Sequence, residues 1–333
     1  SELNAEKTMR AWRSSDPGLA KLAMRDIPIP GPGDGEMLVR VATAALNFSD
    51  LLMIDDMYQV RPPRPFTPGQ EIAGTVAAVG KDVPFKVGDR IASKVLYGGF
   101  ADYALVRGDM ALSVPKDMSF DAAVSLPVVY TTAMVALTES TVVKAGETVL
   151  VLAAAGGVGL ASIQIARHFG ARVIAAAGGA EKCALALANG ADHAVDYRAN
   201  GWRDEVAKLV GGGGVDIVVD PVGGAATADA LKLIGWGGRL LIVGFSSGEI
   251  PRIAANRLLL RRASAVGVYW NHDHDGPMIA RVSERLAELA AAGAIRPHVG
   301  STFPFVDAPQ ALKAMADRNT TGKALIAVSE NLQ

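Results

Sequence analysis

The chain holds 333 residues, half of them hydrophobic and a fifth charged, with 33 basic residues against 34 acidic ones and a net charge of −1. That length exceeds one ordinary core and suits two domains, the composition is globular rather than disordered, and the balanced charge removes any electrostatic case for nucleic acid or an anionic membrane as partner. The single cysteine, Cys183, excludes an intrachain disulfide; with no signal-peptide pattern at the start and no uninterrupted apolar run of bilayer length, the expected address is the cytoplasm.

In chain order, residues 1–127 are rich in proline and in short runs of β character, such as Met37–Ala45 and Glu71–Val79. Turn-forming stretches at 28–35 and 61–69 punctuate them, so this region reads as an all-β, partly barrel-like unit with a short helix at Ser49–Ile54. From about Val128 to Gly267 the rhythm changes. Thr148–Leu152, Arg172–Ala176, Val215–Asp220 and Arg239–Val243 are nearly continuous apolar runs, as strands buried on both faces of a parallel sheet require. Helical stretches at Val158–Phe169, Ala180–Asn189, Trp202–Val210 and Ala225–Ile234 lie between them. This alternation predicts a doubly wound α/β domain. Ser264–Trp270 reads as an exposable edge strand, and the tail predicts helices at Pro277–Ala292 and Ala308–Asp317 and a closing strand at Ala324–Val328. The economical division is discontinuous: 1–127 and 268–333 form one domain, with 128–267 inserted.

The strongest chemical signal is Leu150–Leu160, in which a buried strand runs through Ala153–Ala154–Ala155 into Gly156–Gly157–Val158–Gly159 and then a helix. Gly156 and Gly157 let the backbone approach a pyrophosphate, Gly159 lets the helix pack on the strand, and the helix N-terminus offers free N–H groups. Ala154 stands at the first glycine of the usual fingerprint, so the strand–turn–helix context carries the assignment of dinucleotide binding. An NAD site places a carboxylate about twenty residues on, where it bonds the ribose 2′-hydroxyl. Here the next strand ends in Gly178–Gly179, with Lys182 one turn further and Tyr197–Arg198 after the following strand-like segment. That pattern favours NADPH. The plain alternative for Lys182 is a solvated surface lysine.

These residues resemble the zinc-free quinone oxidoreductase (zeta-crystallin-like) family of the medium-chain dehydrogenases/reductases. The likeness takes in AAAGGVGL at 153–160, LNFSD at 46–50, PGQEIAGTV at 68–76, VGDRI at 87–91, VVDPVGG at 218–224, VGFSSG at 243–248 and TGKALI at 321–326. It implies a GroES-like β-rich catalytic domain with a Rossmann domain inserted in it, an active site in the cleft between them, and a homodimer joined through the edge of the Rossmann sheet. It also implies that Gly156, Gly157 and Val158 meet the pyrophosphate, and that Gly178, Lys182 and Tyr197 surround the 2′-phosphate. Asn47, Thr132, Phe245 and Ser246 then lie along the nicotinamide half, with Lys323 a further candidate.

The zinc-dependent members of the superfamily need a Cys, a His and a further Cys or carboxylate. This chain has Asn47–Phe48–Ser49–Asp50 at the first ligand region and Gly69–Gln70–Glu71 at the second, and lacks the cysteines of a structural zinc lobe, so no metal is expected. The other metal-like run, Asn271–His272–Asp273–His274–Asp275, reads as a solvated loop. Without a Lewis acid, alcohol oxidation loses its main oxyanion stabilisation, and the compatible reaction is hydride transfer from NADPH to an electron-poor acceptor. Three readings are open: a quinone reductase; an enoyl or alkenal double-bond reductase, for which Tyr58, at a position resembling the tyrosine of related enoyl-thioester reductases, is the proton donor; and a non-catalytic NADPH-binding protein. Asn47 is expected to orient the carboxamide or the acceptor oxygen, and Asp50 to serve the start of its helix.

Overall fold

A computed structural model describes residues 7–317, 319 and 322–329, and the chain divides into two compact units. In chain order the strands are β1 (Thr8–Arg13), β2 (Ala23–Pro28), β3 (Glu36–Ala45), β4 (Glu71–Val79), β5 (Arg90–Lys94), β6 (Tyr103–Arg107) and β7 (Leu112–Ser113). Next come β8 (Thr148–Leu152), β9 (Arg172–Ala177), β10 (His193–Asp196), β11 (Val215–Asp220), β12 (Ile234–Ile242), β13 (Ser264–Gly267), β14 (Thr302–Pro304) and β15 (Leu325–Ala327). The first unit comprises residues 1–128, 276–291 and 297–333, and the second 129–275 and 292–296. Residues 268–275 and 292–296, expected in the first domain, therefore group with the second. Sequence periodicity has no means of assigning such short connecting segments.

The first unit is built on the order β14-β15-β3-β4-β5-β7, with β6 also paired to β3, and a separate antiparallel ribbon of β1 and β2. The alternation of Glu36–Ala45 places Met37, Val39 and Val41 in one core with Ile72, Val76, Ile91 and Phe100, while Leu38 joins Met9, Ala101 and Tyr103 on another face. The tail closes this unit. Phe305, Ala308 and Leu312 enter the same core, and the Trp12 indole N–H donates to the Phe305 carbonyl at 2.9 Å. Register at the end of β3 decides which side chains meet there. Ala45 lies opposite Leu325 of β15 on one side and Glu71 of β4 on the other, and Leu46 N–H extends the first pairing to the Ala324 carbonyl at 2.9 Å. Residues just past Ala45, at the start of β4 and just before β15 thus come together at one end of the sheet.

The second unit is an all-parallel sheet of order β10-β9-β8-β11-β12-β13 with helices between the strands, the doubly wound Rossmann arrangement. Its strand order reverses between β8 and β11, the topological switch point at which such sheets bind ligands. Helices Gly157–His168, Ala180–Ala188, Trp202–Val210 and Gly224–Leu231 follow β8, β9, β10 and β11. Phe120–Ser140, to which the sequence pattern assigns no element, is helical with wide turns in it, and by length and composition it is apolar enough to span a bilayer, although 72% of its apolar 18-residue window is buried in the protein. The run 271–275, read as a loop, instead opens the kinked helix His272–Ala291. Asn271 starts that helix: its side-chain oxygen accepts from Asp273 N–H at 2.7 Å and His274 N–H at 3.1 Å, and Asp275 accepts from Asn271 N–H at 3.0 Å.

Candidate active site

The phosphate turn is a backbone construction. After β8 the chain enters Ala153 with φ 48°, a left-handed conformation that a non-glycine residue adopts at a cost of about 1–3 kcal/mol. The helix that begins at Gly157 presents its first N–H groups, which have no intrahelical acceptor, at the end of β8. A Cβ on Gly159 would lie 2.4 Å from the Ala153 carbonyl oxygen and 2.7 Å from Ala154 Cα, so only glycine lets the helix rest on the strand. At Gly157 a Cβ would meet Val129 at 2.9 Å, and at Gly156 it would lie 3.3 Å from the Ala153 oxygen. The side chain of Val158 is half-buried on this first turn.

Beside this turn, β9 and β10 continue their pairing through Tyr197 N–H to the Ala177 carbonyl at 3.1 Å, which brings Tyr197 next to Gly178. A Cβ on Gly178 would fall 3.4 Å from the Tyr197 hydroxyl, and Gly179, at φ 101°, lies directly under the Arg198 guanidinium. Lys182 is exposed in the first turn of helix Ala180–Ala188. Sequence reasoning missed one neighbour. Asp196, at the end of β10, accepts from Gly179 N–H at 3.1 Å and Arg198 N–H at 3.0 Å, and the Arg198 backbone bond leads in holding its carboxyl below the usual range. A carboxylate therefore does lie beside Gly178 and Gly179, supplied by β10 rather than β9. Arg198 pairs with it at 3.7 Å and brings a second cation there.

Further along the same unit, Thr132 accepts from the Trp270 indole N–H at 2.9 Å. Phe245 and Ser246 lie in the exposed loop after β12. That loop is pinned to the end of β11: Ser246 N–H donates to Pro221 O and Ser247 N–H to Val222 O, each at 3.0 Å. Buried Asp220 braces the neighbouring turn by accepting from Val222 and Gly223 N–H at 2.9 and 3.1 Å and from the Thr227 hydroxyl. Asp220 was not among the sequence candidates. A buried strand-end carboxylate followed by Pro-Val-Gly-Gly was its only signal.

The first unit gathers side chains instead. Asn47, Glu71 and Lys323 meet at the end of β3 because of its register with β4 and β15. Asn47 Nδ2 donates to Glu71 Oε1 at 2.9 Å, while Lys323 Nζ lies 2.6 Å from both Asn47 Oδ1 and Glu71 Oε1. Glu71 is 1% exposed, and its Oε2 has no hydrogen-bond partner. Asp50 is fully buried and reaches back to Asn47 N–H at 2.9 Å, fixing the start of helix Phe48–Ile54. Its other oxygen accepts from Gly69 N–H at 3.1 Å. Burial pushes the Asp50 carboxyl up to about 7 against the lowering effect of those two N–H groups and of Lys323. The Ser49 hydroxyl donates to Gln70. Tyr58 lies half-buried beyond this helix, on a loop held by Arg64, which donates to Ile54 O at 2.9 Å and Asp56 Oδ1 at 2.8 Å.

The donor set here does not fit a catalytic zinc. Amides and a hydroxyl stand where thiolate and imidazole ligands are needed, and the Lys323 ammonium already pairs with Glu71. No group of three or more His, Cys, Asp or Glu side chains close enough for a metal occurs among the described residues. The nucleotide side differs: the strand–turn–helix at 153–159 leaves the first N–H groups of the helix free at the end of β8, which fits the pyrophosphate of a dinucleotide.

Both fold and turn define a two-domain dehydrogenase/reductase. Residues 33–116 match the alcohol dehydrogenase GroES-like domain, and residues 157–291 match the zinc-binding dehydrogenase domain. Bovine (Bos taurus) quinone oxidoreductase-like protein 2 is 39% identical over 297 residues, covering 88% of this chain and 85% of the relative. Pig (Sus scrofa) quinone oxidoreductase is 34% identical over 328 residues, 96% of each chain. Among solved structures, the quinone oxidoreductase of Thermus thermophilus, also determined with NADPH, superposes with a TM-score of 0.80 at 34% identity, covering 96% of this chain and all of the other. The chain belongs to the quinone oxidoreductase family of the medium-chain dehydrogenases/reductases.

Proposed function

We propose that this protein is a metal-independent NADPH:quinone oxidoreductase. The observation that carries the reading is the Asn47–Glu71–Lys323 cluster: the region that holds a zinc ligand set in the metal-dependent members is closed here by an internal ion pair and amide. Gly156, Gly157 and Val158 receive the pyrophosphate at the helix N-terminus, and Gly178, Lys182 and Tyr197, with Arg198 beside them, take the 2′-phosphate. Thr132, Phe245 and Ser246 serve the nicotinamide half. Bound NADPH supplies the hydride; a quinone that accepts it together with one proton leaves as the hydroquinone. The chain's own work is to bind, to orient the acceptor oxygen through Asn47, and to exclude competing water.

A second reading, reduction of an activated C=C bond, is favoured by Tyr58, a phenol held half-buried by the Arg64-braced loop near the start of the same unit. In that case Tyr58 donates the proton to the developing enolate. A third, non-catalytic NADPH binding, predicts binding without consumption.

NADPH oxidation against a benzoquinone, a naphthoquinone, an unsaturated aldehyde, an enone and crotonyl thioester separates them, with NADH in parallel and a chelator control. Quinone turnover that ignores the chelator supports the proposal; turnover confined to C=C substrates replaces it with the second reading. A homodimer through β13 accompanies the proposal. Among the described residues that edge strand pairs with β12 alone, and Leu259, Leu260 and Tyr269 flank it 78%, 70% and 90% exposed. Light scattering that returns a monomer removes the dimer. A reducing, cytoplasmic setting fits the single free thiol of Cys183.

A further inference from the structure

The buried cluster in the first unit holds a charge pair that hydride transfer does not itself require. An ammonium can only donate hydrogen bonds, and a carboxylate only accept them. Lys323 Nζ faces Asn47 Oδ1 at 2.6 Å and Glu71 Oε1 faces Asn47 Nδ2 at 2.9 Å, so both ends of the Asn47 amide are specified. Turning the amide over would set N–H against ammonium and carbonyl against carboxylate at once, the second with no access to water and the first with little: Glu71 is 1% exposed and the Lys323 side chain 16%. The backbone is fixed as well, because Asp50 holds Asn47 N–H at 2.9 Å.

We infer that Glu71 and Lys323 are positioning residues for Asn47: together they lock its carboxamide in one orientation and polarise it, so that the second Nδ2 hydrogen is presented as a donor to the acceptor oxygen. A cation on the amide oxygen draws electron density from the nitrogen and strengthens the remaining N–H as a donor. The inference rests on the proposed role of Asn47 in quinone reduction. It also separates the two parts of the cluster: Lys323 acts on the amide rather than on the nucleotide, and Glu71 is retained for its charge and acceptor geometry rather than as a metal ligand.

Two arms test it on the full-length protein. In the first, the side-chain carboxamide resonances are followed by NMR, with the Asn47 pair identified by its loss in N47A. Slow solvent exchange is expected in the wild type and in K323R, which keeps a donor-only cation, and exchange at least about tenfold faster in E71Q/K323M. The double variant removes both charges together, so no uncompensated buried ion is left to unfold the unit. In the second arm, N47A lowers kcat for a quinone about tenfold or more in the wild type but less than about twofold in E71Q/K323M, because an unlocked amide has little left to lose. Equal losses from N47A in the two backgrounds, or unchanged exchange in E71Q/K323M, overturn the inference. A wild type that reduces no acceptor defeats the functional proposal first and with it the catalytic purpose of the lock; the exchange arm then decides whether the lock exists. Should E71Q/K323M fail to fold, E71Q, which leaves only the partly exposed Lys323 charge, makes the same comparison with the wild type in both arms.

Discussion

The two candidate sites are built by opposite means. In the second unit the nucleotide turn is made of backbone: Gly156, Gly157 and Gly159 work by what they lack, within a dozen residues of chain, and a helix end supplies the donors. In the first unit the site is made of side chains from three segments far apart in sequence, brought together by the register of β3 with β4 and β15. The first kind of site fails by steric intrusion. The second fails by loss of charge balance. Damage to each should therefore leave a different signature.

The largest effect is expected in the side-chain cluster. The Asp50 carboxyl is raised from 3.8 to about 7 by burial, a shift of roughly 4 kcal/mol between protonation states. Between about pH 4 and about pH 7 the folded chain holds a proton that the unfolded chain has released, so this contribution to stability falls as pH rises through that window and is level above it. Denaturant unfolding across the range, with D50N subtracted, should recover that descending limb. A flat difference curve would show Asp50 ionised when folded and would break the contrast between the two sites. Next comes the backbone site. Gly159→Val drives a side chain into the Ala153 carbonyl, and about 3 kcal/mol of stability with at least tenfold of NADPH affinity should go. Calorimetric titration and thermal melts check it, and a variant that binds normally would mean the helix has room to move.

Smaller effects sharpen the comparison. Lys182→Ala should lower the preference for NADPH over NADH about tenfold, a charge-assisted contact's worth, while leaving NADH binding alone. Equal losses with both cofactors would place Lys182 outside the 2′-phosphate site. The smallest is Tyr58→Phe. Quinone turnover should change less than about twofold, because a phenol is not needed where the proton can come from water, whereas a fall of about a hundredfold with an enone or enoyl thioester would establish the second reading. Stopped assays with both acceptors on one preparation decide it.

What could be read from the sequence divides along the same line. The βαβ rhythm, the Gly-rich turn and the missing acid after β9 depend on local periodicity and on conformations that only glycine adopts, so strands β8, β9 and β11 and the helices after β8 and β9 stand within a residue or two of where the pattern puts them, while the helix after β11 ends at Leu231, three residues short of Ile234. The helix Phe120–Ser140 was invisible to that reading, since a helix buried on most sides has no polar face to set its period. The opening of helix His272–Ala291 turned on one Asn side chain. Asp196 reaches Gly179 only because β10 pairs with β9.

By itself, the sequence determined the Rossmann half, the phosphate turn, and the absence of Cys and His from the positions a zinc ligand set would use, because each is a matter of residue type and short spacing. Only the tertiary structure decided that Lys323 completes Asn47 and Glu71 across some 250 residues of chain. Strand register is settled by packing over the whole sheet, and a one-residue slip would send those side chains to opposite faces.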